Sequence, residues 1–124
     1  MTHAPVLVIG AGAWGTALAS VCARAGRQVL LYDKDATTIA ALAATRRHPR
    51  FASEVELDAR ITPLATLADC PEPAFAMLVV PYQVMRSALR DVHAALPMLR
   101  AVACASKGFE LETGMMAHEI VADV

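Results

Sequence analysis

Gly10, Gly12 and Gly15 stand in a G-x-G-x-x-G spacing within Gly10-Ala11-Gly12-Ala13-Trp14-Gly15, and an acid, Asp33, follows 23 positions beyond Gly10. The spacing gives each glycine a separate task. Gly10 permits a tight turn, Gly12 lets the backbone come close to a pyrophosphate, and Gly15 allows a helix to pack against the preceding strand. The first-turn amides of a helix opening inside such a turn lack intrahelical partners and sit at the positive end of the helix dipole, so they attract phosphate oxygens. A carboxylate at Asp33 can accept hydrogen bonds from the ribose hydroxyls of an adenosine. Lys34 pulls the other way, because a cation there favours a 2′-phosphate that Asp33 repels. The residues leave NAD and NADP both open.

A glycine pattern of this kind is informative only between a strand and a helix, and the flanking residues supply both. Val6-Leu-Val-Ile9 is a short continuous apolar run, the pattern of a strand buried on both faces. Ala17, Leu18, Val21, Cys22 and Ala25 then repeat at helical spacing, with Gly26 where a helix C-terminus wants it. Gln28 to Tyr32 reads as a second strand, and Asp35 as the cap of a helix carrying Ile39, Leu42 and Ala43. Arg46 to Asp58 is polar and aperiodic and reads as a loop, with Arg46-Arg47 as a solvated helix end.

Arg60 to Pro63 is a strand candidate, with a short helix around Leu64 to Ala68. Ala74 to Val80 is a strand ended by Pro81, and Val84, Met85, Ala88, Leu89, Val92 and Leu96 mark the helix after it. Ala101 to Ala105 is the last strand, and a final helix begins near Thr113. Alternating strands and helices predict one α/β domain over 1–124, a doubly wound parallel sheet of the Rossmann type with strand order 3-2-1-4-5. A helix that stops at Ala122-Asp123-Val124 without a glycine, proline or polar tail reads as part of a longer protein.

The composition narrows the function classes. The chain has 124 residues, 56% of them apolar, which excludes disorder. Eleven basic residues oppose twelve acidic ones, with no basic stripe, so no nucleic-acid partner is expected. Cys22, Cys70 and Cys104 form no CxxC pair, so neither a disulfide framework nor a metal site is expected, and each is read as a small buried hydrophobe. No signal peptide and no membrane span are legible, which points to the cytoplasm.

Three segments together carry a family resemblance. Gly10-Ala-Gly-Ala-Trp-Gly-Thr-Ala-Leu-Ala19, Leu78-Val-Val-Pro81 and Ala105-Ser-Lys107-Gly-Phe-Glu110-Leu-Glu-Thr113-Gly114 resemble, in order and spacing, bacterial NAD(P)-dependent glycerol-3-phosphate dehydrogenase. The likeness covers nearly the whole chain, and the third segment discriminates best. It implies a cofactor-binding domain in which Ala13 and Trp14 lie against the cofactor, Lys34 lies near its adenosine end, Pro81 ends a site strand, and Lys107 contacts both cofactor and substrate. Ala13 replaces a usual hydroxyl residue, and Asp33 stands where a small residue is common. The element around His48-Pro49-Arg50-Phe51 is degraded, and only Phe51 is expected near the site.

The expected reaction is interconversion of sn-glycerol 3-phosphate and dihydroxyacetone phosphate, which supplies the glycerol backbone of phospholipids. Hydride transfer to a ketone also needs a proton donor. The resemblance places that group, a lysine, in a following all-helical domain, so no catalytic acid or base is expected in this chain. His3, His48, His93 and His118 are poor replacements. The alternatives are a dehydrogenase of another small hydroxy acid or phosphorylated alcohol, or a nucleotide-sensing module without chemistry. A homodimer of the full-length protein is left open.

Overall fold

The structure is a computed structural model that describes residues 3–124. Five strands, β1 (Val6–Ile9), β2 (Val29–Tyr32), β3 (Ile61–Leu64), β4 (Phe75–Leu78) and β5 (Val102–Cys104), form one sheet in the order β3-β2-β1-β4-β5. Every neighbouring pair is parallel, with Val6 beside both Val29 and Phe75. The helices are α1 (Ala13–Arg24), α2 (Ala36–Thr45), α3 (Tyr82–Ala95) and α4 (Ala117–Asp123), with one 3-10 turn at Leu67–Asp69. This is the doubly wound architecture expected from the alternating pattern.

The continuous apolar run of β1 is explained by helices on both faces. Val6 and Val8 pack with Ala19, Ala23, Ile39 and Leu42 on the side of α1 and α2. Leu7 and Ile9 pack with Leu67, Val92 and Leu96 on the opposite side. Fully burying one such side chain is worth roughly 1.5–3 kcal/mol, so β1 anchors both layers. A third cluster, Leu78, Tyr82, Met85, Leu89 and Ile120, joins α3 to α4. Pro63 can occupy β3 because β3 is an edge strand, where a missing amide breaks no central ladder.

Local chemistry sets the boundaries. Gly26, at φ 92°, follows the last turn of α1. Asp35 accepts from the Thr37 and Thr38 amides and starts α2, as the sequence suggests.

Four expectations are corrected. The final helix begins at Ala117, not near Thr113, because Thr113 sits in a turn, with its hydroxyl donating to Glu110 and accepting from the Met115 amide and with Gly114 next at φ 71°. The short helix after β3 is the later 3-10 turn, capped by Thr66. Arg46 and Arg47 are not a freely solvated helix end. Arg46 takes a left-handed conformation at φ 58° and donates to the Asp58 carbonyl, and Arg47 donates to the carbonyls of Ser53 and Glu54. The three cysteines are half-buried free thiols, not core residues, and burial still pushes Cys70 and Cys104 up from the ordinary thiol value. Among the described residues no helix is long and apolar enough to cross a membrane, and no group of three His, Cys, Asp or Glu could hold a metal ion.

Candidate functional site

The site lies at the carboxyl edge of the sheet, where β1 and β4 are neighbours and the chain leaves them in opposite directions. Gly10 follows β1 at φ 114°, a conformation that L side chains rarely adopt. A Cβ added there would come within 2.2 Å of the Val79 carbonyl oxygen, and one added at Gly15 within 1.7 Å of the Gly10 carbonyl oxygen. These two glycines let helix and strand touch. Gly12 differs, because a Cβ there would meet nothing within 4 Å. The structure thus separates Gly10 and Gly15, where packing leaves no room for a side chain, from Gly12, where it does.

Gly12 is also the N-cap of α1, and no side chain caps this helix. The first helical hydrogen bond runs from the Thr16 amide to the Gly12 carbonyl at 3.0 Å. The amides of Ala13, Trp14 and Gly15 precede it and have no helical acceptor. Open space at Gly12 beside uncapped amides fits a phosphate group.

Asp33 is wired into this turn. One of its carboxylate oxygens accepts from the Ala11 amide at 2.7 Å and the other from the Asp35 amide at 2.8 Å. The residue therefore braces the glycine turn while each oxygen keeps further accepting capacity. Asp33 and Lys34 line a cleft of about 290 Å³ with Gly10, Pro81, Val84 and Asp91. Tyr32, also in the lining, has its phenol pushed above its ordinary value by burial first, then by the carboxylates of Asp91 and Asp33. Lys34 is exposed and makes no ion pair among the described residues.

A second, wider cleft is lined by Trp14, Val79, Pro81, Ser106 and Lys107. Pro81 belongs to both clefts and forms the N-cap of α3. Trp14 is 59% exposed, and its indole N–H donates to the Ala105 carbonyl at 3.2 Å. The Ser106 hydroxyl donates to the Val80 carbonyl, which fixes the chain just before the exposed Lys107. The sequence-selected residues thus divide between two adjoining clefts, with Asp33 and Lys34 in one, Trp14 and Lys107 in the other, and Pro81 between them.

Two features escaped the sequence reading. His48 is 2% exposed, and its Nε2 lies 2.7 Å from the Ala11 carbonyl oxygen, so the loop after α2 closes on the glycine turn. Phe51 lies near it, its ring centroid 4.9 Å from the imidazole. Arg86 on α3 forms a two-oxygen ion pair with buried Glu110 and a second pair with Asp123. Glu110 also accepts from the Thr113 hydroxyl, so the segment after Lys107 is tied to α3 and α4. The only signal for the Arg86 pair was the acid Glu110 within the third family segment, whose burial the structure adds. His48 offered only an isolated histidine in an aperiodic loop. His93 and His118 are exposed on their helices.

Comparison with known proteins agrees with this geometry. A glycerol-3-phosphate dehydrogenase (NAD(P)+) of Bradyrhizobium sp. is 44% identical over 119 residues, covering 95% of this chain and 36% of that protein. The Brucella canis protein of the same name is 36% identical over 120 residues, covering 96% and 37%. The chain thus spans somewhat more than a third of the length of the curated relatives it matches. In fold it is similar to glycerol-3-phosphate dehydrogenase from Coxiella burnetii, with a TM-score of 0.89 at 24% identity, over 98% of this chain and 37% of that one. The family model described as NAD-dependent glycerol-3-phosphate dehydrogenase N-terminus matches residues 5–124, and the chain belongs to that family.

Proposed function

We propose that this chain is the dinucleotide-binding part of an oxidoreductase that interconverts sn-glycerol 3-phosphate and dihydroxyacetone phosphate with NAD or NADP. The observation that carries the proposal is the open Gly12 at the uncapped start of α1, and family membership supports it. Gly10 and Gly15 shape the turn, while Gly12, Ala13 and Trp14 present backbone to the pyrophosphate. Asp33 and Lys34 face the adenosine ribose from the first cleft, and Pro81 marks the passage to the second. There the exposed Lys107 holds a substrate oxygen.

The two clefts that meet at Pro81 would hold a nicotinamide dinucleotide, which would supply the hydride for reduction of the ketone carbon. The substrate oxygen gains negative charge as that carbon accepts hydride, and the Lys107 ammonium stabilises it electrostatically. The oxygen must also gain a proton, and we assign that proton, with the grip on the substrate phosphate, to a helical domain beyond these residues. Lys107 beside the second cleft favours this reading over a sensing module, which has no use for a cation at the acceptor. The free cysteines suit a reducing compartment and support a cytoplasmic placement.

Calorimetric titration with NADH and with NADPH tests the reading. Saturable binding of at least one, at one site per chain, is the expected result. Heat no different from dilution with both would remove the proposal.

A further inference from the structure

The two peptide units around Ala11 are held from opposite sides. The Ala11 amide donates to Asp33, and the Ala11 carbonyl faces His48 Nε2 at 2.7 Å. The Nδ1 atom of the same imidazole accepts from the Arg50 amide at 3.0 Å and the Phe51 amide at 3.2 Å. A ring nitrogen that accepts two amides carries no proton, so the ring is the neutral tautomer with its hydrogen on Nε2. His48 therefore donates to Ala11, and its loop supplies the bonds that set the tautomer.

A carbonyl and the amide of the same trans peptide point in opposite directions. The carbonyl of Ala11 shares its peptide plane with the amide of Gly12. Fixing the carbonyl on a buried imidazole therefore aims the Gly12 N–H to the opposite side. That N–H donates to no backbone carbonyl among the described residues, and an added Cβ at Gly12 meets nothing within 4 Å. Donation to a carbonyl also polarises the whole peptide, which strengthens its N–H as a donor.

We propose that His48 is a positioning residue for the dinucleotide site, which orients and polarises the Ala11–Gly12 peptide so that the Gly12 amide meets a phosphate oxygen. The inference rests on the binding function proposed above. It assigns to the loop after α2 a part in phosphate recognition, made through one peptide bond and without contact to the ligand.

The test uses ADP-ribose, which carries the pyrophosphate, and adenosine, which carries none, on chain labelled with ¹⁵N. In the wild-type chain ADP-ribose should move the Gly12 amide and His48 Nε2 resonances together, and adenosine should move neither. His48→Phe keeps a ring but no donor, and should weaken ADP-ribose about tenfold while leaving adenosine unchanged, the scale of one hydrogen bond. His48→Gln, whose amide nitrogen can reach the Nε2 position, should recover most of that loss. A Gly12 amide that responds to ADP-ribose while His48 Nε2 does not would overturn the inference, even if His48→Phe failed to fold. Equal loss of both ligands in a folded His48→Phe would also overturn it, since that marks general loosening. If ADP-ribose leaves the Gly12 amide unmoved in the wild-type chain, the binding function itself fails.

Discussion

Trp14 reaches across the sheet edge to Ala105, its indole N–H donating to that carbonyl at 3.2 Å. The bond links the first turn of α1 to the strand end that carries Ser106 and Lys107. It also sets an exposed indole in the wider cleft, the only tryptophan of the chain. Binding of NADH should therefore quench Trp14 fluorescence. The same chain should show no oxidation of NADH or NADPH with dihydroxyacetone phosphate, since the role proposed for Lys107, holding the ketone oxygen, leaves no second group to deliver a proton. Losing the positioning of one reactant can forfeit as much as about 7–11 kcal/mol of barrier reduction. Robust turnover by these 124 residues would show that the catalytic machinery lies within them.

Gly12 and Gly15 should respond oppositely to a side chain. Gly12→Val places its branches in open space at an ordinary backbone φ of −76°, so the melting temperature should hold while dinucleotide affinity is lost. Gly15→Ala drives a methyl into the Gly10 carbonyl, so it should unfold at clearly lower temperature. Unchanged affinity in folded Gly12→Val would place the pyrophosphate elsewhere.

Asp33 is placed to act twice, as a negative charge in the cleft proposed for adenosine and as a brace on the Ala11 amide. Asp33→Ala should lower affinity for NADH and shift the NADPH-to-NADH preference upward by about tenfold or more, the scale of a charge-assisted hydrogen bond. Asp91→Asn removes the other carboxylate of that cleft without touching the turn, so it should shift the same ratio and leave NADH affinity intact. Parallel titrations read both ratios, and a fixed ratio in both variants would limit these acids to structural roles.

Acid should loosen the segment that follows Lys107. The Glu110 carboxyl is held below its ordinary value by Arg86 first and by Thr113 second. Arg60 holds Asp58 at about 2. A carboxyl depressed in the folded state contributes stability that is fully present above its unfolded value, roughly 4 for these side chains, and is lost as pH falls through the folded one. Melting temperature should therefore stay level above about pH 5, as far as these groups decide it, and drop below that. Glu110→Gln should flatten part of the drop, and an unaltered profile would show that the Arg86 pair is not linked to unfolding.

Sheet order and the packing need for glycine at Gly10 and Gly15 were legible because they depend on local pattern. Val6 to Ile9 is apolar at every position, as a strand covered on both faces must be, and the glycines are fixed by the turn they occupy. His48 was not legible, since its partner, the Ala11 carbonyl, is 37 residues away and a polar loop has no period to betray it. Arg86 lies on a helix whose apolar spacing was read correctly, but its ion pairs depend on where Glu110 and Asp123 arrive after β5. Thr113 misled for a local reason: its hydroxyl bonds Glu110 three residues back and accepts the Met115 amide, which makes a turn before Gly114 and not a helix start.

Because every ladder in the sheet is parallel, none of its pairings can form from a hairpin, and the order of synthesis matters. The strand made first, Val6–Ile9, ends up central and needs Phe75–Leu78 for its second ladder. Until that segment leaves the ribosome, one edge of an entirely apolar strand has no partner. Nascent chains halted after Leu64 should be digested rapidly by protease, and chains carried past Cys104 should resist. The strand that the finished domain covers on both faces is thus one that waits, half-paired, through much of its synthesis.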